Sequence, residues 1–152
     1  MKIIKPELTQ IDGGLWVMET PLIFQKTNME IVIKPVNTDG TVHVTDLTTC
    51  PKWMDKWLNN LDTFYPYCAI FHDALLHPYS TVYVVYGQDT TQTKRIIQSD
   101  RSESDIAYYR LLKAAGANDI VAALLYTAVT FWSFFIAPVM KFYRSFKPLT
   151  AS

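Results

Sequence analysis

Apolar and polar residues alternate one by one through the first third of the chain, and a longer period takes over after that. Met29-Glu30-Ile31-Val32-Ile33-Lys34 puts Met29, Ile31 and Ile33 on one side and Glu30 and Lys34 on the other. That is the period of a half-buried strand. Thr41-Val42-His43-Val44-Thr45 alternates in the same way; its phase is read with Val44 inward and His43 toward solvent. Lys26-Thr27-Asn28 and Asn37-Thr38-Asp39-Gly40 are turn chemistry. Residues 15–45 therefore read as a small antiparallel sheet of hairpins.

Helical spacing follows. Pro51 suits a first helical position, and Trp53, Trp57, Leu58 and Leu61 then share a face. A second helix is expected from about Pro66 to His77, stopped by Pro78. A third is expected from near Ser102 to Gly116, a suitable glycine for a helix end. Between them, Thr81-Val82-Tyr83-Val84-Val85-Tyr86 and Arg95-Ile96-Ile97 flank a polar stretch and read as a hairpin excursion near residues 80–98. No charge occurs between Asp119 and Lys141, within an apolar helix expected at about 118–146. Such a stretch is long enough to span a bilayer. Tyr126, Thr127, Thr130, Ser133 and Pro138 favour burial of Ile120 to Met140 in protein instead, within the domain or against another subunit; membrane contact through 120–140 stays open.

The expected fold class is α+β in one domain, 1–152: a β-rich part to residue 46 and a helical part from 51 to 147, three or four helices packed on the sheet. The expected core includes Ile31, Ile33, Val44, Trp53, Trp57, Phe71, Leu75 and Leu112.

Composition removes some function classes. Lys+Arg and Asp+Glu are both 14, so the formal net charge is zero and there is no electrostatic footprint for nucleic acid. Little net repulsion separates copies, which suits a subunit packed against partners. Cys50 and Cys68 are too few for a disulfide framework and are expected as reduced thiols. MKIIKPELTQIDGG lacks the apolar core of a signal peptide, which points to the cytoplasm of the cell that makes the chain.

The suggestive chemistry is a set of polar residues at positions where apolar ones belong. Cys68, Phe71, His72 and Leu75 fall at i, i+3, i+4 and i+7, so His72 lies inside an apolar stripe. Asp105 heads a stripe with Tyr108, Tyr109 and Leu112. Asp46 stands at a strand-to-helix junction, and Asp73 lies beside His72. Inward carboxylates and an inward histidine need partners, so Asp46, His72, Asp73 and Asp105 are expected to converge. Such a set is either a structural network or a site that holds a divalent metal ion or runs general-base chemistry. Asp46 or Thr49 also reads as a helix cap, and Ser102 to Asp105 resembles a capping box.

Thr45-Asp46-Leu47-Thr48-Thr49-Cys50-Pro51, His72-Asp73-Ala74-Leu75-Leu76 and Ser104-Asp105 with Tyr108, in that order, resemble the motifs of DUF1353, a family of uncharacterised phage and prophage proteins. The resemblance covers roughly residues 30 to 135, with Leu76 where the family has Tyr and Thr48-Thr49 where it has Ala-Ser. It implies phage ancestry and a polar cluster at Asp46, His72, Asp73 and Asp105, located in the virion or the host cytoplasm. Two classes of function follow. One is a structural or interaction subunit of the tail, neck or portal region, partnered by other phage structural proteins. The other is a small divalent-metal-dependent hydrolase acting on the cell envelope. An early phage inhibitor of a host system is a third reading. The chain has no GxSxG, HExxH, P-loop or Rossmann glycine pattern to decide for an enzyme.

Overall fold

The computed structural model describes residues 1–47, 65–87, 94–95, 100–131 and 134–135. Its strands are β1 Lys2–Ile4, β2 Leu8–Ile11, β3 Leu15–Met18, β4 Leu22–Lys26, β5 Met29–Ile33, β6 Val44–Thr45, β7 Val82–Tyr86 and β8 Lys94–Arg95. Its helices among the described residues are α1 Tyr65–Leu76, α2 Arg101–Ala115 and α3 Asp119–Phe131. The fold is α+β, as expected, with antiparallel sheets beside the helices. The predicted helix carrying Trp53 and Trp57, with Cys50, lies outside the described residues.

Five strands form one sheet in the order β1-β4-β5-β7-β8, and three form another in the order β2-β3-β6. β4 and β5 pair with Lys26 opposite Met29, so Thr27-Asn28 is the two-residue turn the pattern predicts. The stretch near residues 80–98 does form a hairpin: β8 pairs with β7. That hairpin also joins the N-terminal strands, because β7 pairs with β5 from Met29↔Tyr86 to Ile33↔Val82. Val32 and Val85 add apolar residues to the second faces of β5 and β7, which are interior strands of the sheet. The large sheet thus joins segments far apart in sequence, and β1 extends it to residues before the predicted sheet.

The core lies between this sheet and α1. Leu22, Phe24, Ile33 and Val82 meet Tyr65, Cys68, Ile70, Phe71 and Leu75. The rings of Phe24 and Phe71 stand edge to face, 6.0 Å apart. α1 is buried on almost every side and takes the central place among the described helices. Cys68 is a fully buried thiol. α2 packs on α1 through Tyr108, Leu111 and Leu112, and α3 packs on α2. The rings of Tyr109 and Tyr126 lie 5.5 Å apart across that junction, and Lys113 and Asp119 form an ion pair over it.

Both ends of α2 are built from local chemistry. Gly116 has φ 104° and receives the chain past Ala115, as the sequence predicts. The N-cap is Asp100 rather than a residue of the Ser102–Asp105 box: its Oδ1 accepts from the Glu103 amide at 2.8 Å. Serine and aspartate at 104 and 105 are instead buried, at 0% and 1% exposure, so they are not available to cap. Asp100→Ala is expected to cost about 1 kcal/mol, read as a lower urea midpoint with an unchanged slope.

One expectation on burial is corrected, and another is met on one face. Val44 is 41% exposed and Val42 is 49% exposed, while His43 and Thr45 are buried. The alternation is real and its phase is the reverse of the predicted one. A half-residue-pair slip of this kind turns every side chain to the other face. The expected burial of Ile120 to Met140 holds for one face of α3, where Ala122, Leu125 and Val129 are buried. Ile120, Leu124 and Phe131 on the other face are 70%, 48% and 55% exposed, and Phe134 and Phe135 beyond it are also exposed. Among the described residues, no helix is long and apolar enough to cross a membrane.

Candidate functional site

His72 on α1 and Asp105 on α2 face each other because each heads into the shared interface of the two helices. His72 Nε2 lies 2.7 Å from Asp105 Oδ1, and the two residues are 4% and 1% exposed. The Tyr108 ring closes one side of the imidazole at 5.4 Å. On the other side, His72 Nδ1 is 3.8 Å from Asp73 Oδ1, too far for a hydrogen bond and close enough for attraction. Asp73 Oδ2 in turn accepts from Thr45 Oγ1 at 3.1 Å. Thr45 Oγ1 also accepts from the Leu47 amide at 3.0 Å. A continuous polar chain therefore runs from α2 through α1 to β6.

This chain explains the reversed phase of residues 41–45. Thr45 must turn inward to reach Asp73, and strand alternation carries His43 inward with it. His43 is held there by its backbone: its amide donates to Pro35 O at 2.7 Å, and its carbonyl accepts from the Met18 amide at 3.1 Å. The same alternation turns Asp46 outward, and Asp46 is exposed. Of the four predicted site residues, His72, Asp73 and Asp105 come together, and Asp46 stands on the solvent side of the adjoining backbone. Leu47, just after it, has φ 61°, a left-handed conformation that is costly for a branched side chain. The Thr45 hydroxyl on its amide supports that turn.

His43 and Thr45 are the members that the sequence reading missed. Alternation separates Val42 and Val44 from His43 and Thr45 without saying which set points in, and hydrophobicity alone picks the valines. The signal for the other choice is Asp73, one position along α1 from His72, which needs a donor.

The two histidines are driven apart electrostatically. Burial alone would lower the pKa of His72, but the hydrogen bond that it donates to Asp105 and the pull of Asp73 outweigh it, and the pKa is raised above the ordinary 6.5. Burial lowers the pKa of His43; Asp73 offsets part of this and His77 adds to it. The arrangement favours a charged His72 between two carboxylates and a neutral His43 beside them. His72 Nδ1, Asp105 Oδ2 and His43 Nε2 are buried without a hydrogen-bond partner among the described residues.

The divalent-ion expectation needs three or more ligands converging on one point. Among the described residues, no three His, Cys, Asp or Glu side chains are so disposed. Asp105 Oδ1 already engages His72 Nε2, and Asp46 faces out.

Comparison with known proteins gives no match. No family model, curated protein or solved structure is similar enough to be matched. The resemblance to DUF1353 therefore rests on its three sequence motifs alone.

Proposed function

We propose that this chain works by binding rather than by catalysis, as a small subunit of a phage particle that contacts its neighbours through the outer face of α3. The supporting observation is that face. Ile120, Leu124 and Phe131 stand 48% to 70% exposed on one helix, and Phe134 and Phe135 continue the apolar surface. Contiguous apolar area of this kind is a mark of an interaction surface. No charged residue interrupts the sequence between Asp119 and Lys141, and a chain of zero net charge has little repulsion to overcome on assembly.

The histidine cluster supports a structural role better than hydrolysis. A general base needs a ring nitrogen within reach of the substrate. His72 has one nitrogen bound to Asp105 and is 4% exposed. As an ion pair, by contrast, the cluster ties α1 to α2 and to β6, which is what rigid presentation of α3 requires.

The test is proteomics of purified particles from a phage that encodes the chain. The expected result is a stoichiometric component that drops out of the particle when Leu124 and Phe131 are both changed to Glu. Expression during infection with no copy in the particle would sink the reading and move the choice to an inhibitor or an enzyme.

A further inference from the structure

Among the described residues, the inner face of the large sheet is longer than the helical layer that covers it. On β4, Leu22, Phe24 and Lys26 share that face; on β5, Ile33, Ile31 and Met29 lie opposite them in register. Leu22 and Ile33 are fully buried at one end, and Lys26 is exposed at the other. A lysine thus occupies the inward phase of a strand, where the alternation calls for an apolar residue. Above this open end runs a second face of α2, distinct from the stripe headed by Asp105. Glu103, Ile106, Ala107, Arg110, Leu111 and Ala114 recur at i, i+3, i+4, i+7, i+8 and i+11.

The two surfaces enclose a groove of about 640 Å³, floored by Phe71 of α1. That volume falls within the usual range for small-molecule sites. Phe24, Ile31, Phe71 and Leu111 make its interior, and Met29 adds a side chain that adapts to an irregular guest. Lys26 and Arg110 line the same groove and are exposed, and neither is in an ion pair with a described residue. Among the described lining residues Glu103 is the one acidic side chain, so they carry a net positive charge.

We propose that this groove binds a single-chain amphiphilic carboxylate, a free fatty acid, with its hydrocarbon tail along Phe24, Ile31 and Leu111 and its carboxylate between Lys26 and Arg110. An apolar trough bounded by two cations matches an apolar chain ending in one anion. Arg110 offers the paired donors that suit a carboxylate, and Lys26 reaches the head group from an apolar stem. The site is separate from the outer face of α3 and does not depend on the particle reading.

The experiment is calorimetric titration of the full chain with dodecanoate below its micellar concentration, beside dodecanol and dodecyltrimethylammonium. One dodecanoate should bind per chain, at least tenfold more tightly than either neutral or cationic analogue. Lys26→Glu with Arg110→Glu should weaken it at least tenfold. Ala114→Trp and Ile106→Glu, both at exposed lining positions, should each abolish binding with an unchanged melting midpoint. Leu124→Glu on α3 should have no effect. The proposal is overturned by no saturable binding, by equal affinity for the three amphiphiles, by binding that survives Ile106→Glu in a folded variant, or by binding lost with Leu124→Glu.

Discussion

Asp105→Ala is expected to destabilise the chain by about 3–5 kcal/mol, the usual cost of removing one partner from a buried ion pair. The residue is 1% exposed, and its loss leaves His72 without its closest partner at 2.7 Å. Replacing both residues by leucine should recover most of the loss, because no uncompensated charge then remains inside. The pH dependence has a definite sign. His72 has a folded pKa above 6.5, so its contribution is complete below that value and fades as pH rises through the folded pKa. His43 behaves oppositely: its folded pKa is depressed, and the stability gained by keeping it neutral is lost as pH falls below 6.5. His72→Gln keeps a donor for Asp105 and cannot take up a proton. Urea denaturation should therefore show its deficit largest below about pH 6.5 and shrinking on the alkaline side. A deficit that stays constant with pH would mean that His72 is neutral throughout.

The second large effect separates adjacent residues of α3. Leu125 is 2% exposed and Leu124 is 48% exposed. Leu125→Ala should cost about 2–5 kcal/mol, through lost burial and the cavity left against α2. Leu124→Ala should stay within about 0.5 kcal/mol of wild type, as surface changes usually do. Thermal melting of both variants at one concentration checks the contrast. Equal losses would place Leu124 in a packed interface within the protein studied, and the docking role of that face would fail with it.

How much could be read beforehand depended on whether a residue answers to local or to distant chemistry. The Thr27-Asn28 turn, the stop at Pro78 and the glycine end of α2 are decided within a few residues of themselves, and each was visible. His72 and Asp105 were visible as a pair because each breaks an apolar stripe at helical spacing, and a buried charge implies a partner. The phase of residues 41–45 was not visible, because it is decided by Asp73 on a helix twenty-eight residues further along. The pairing of β7 with β5 was hidden for a similar reason: strand composition shows that a partner is needed and not which one. The apolar segment after Asp119 left two places open, inside the domain or against another subunit; α3 buries one face in the domain and exposes the other, while α1, with His72 in its sequence, is the more deeply buried helix.

The position of β7 also bears on how the chain is made. β5 ends at Ile33 and its second neighbour does not begin until Val82. At ordinary elongation rates the ribosome needs roughly 2–10 s to synthesise the intervening stretch. During that interval a strand rich in isoleucine and valine has one open edge, the arrangement that invites pairing with another nascent chain. Lys26, Glu30 and Lys34 around it place charge beside that edge, and charged flanks of this kind delay wrong partners until the right one emerges.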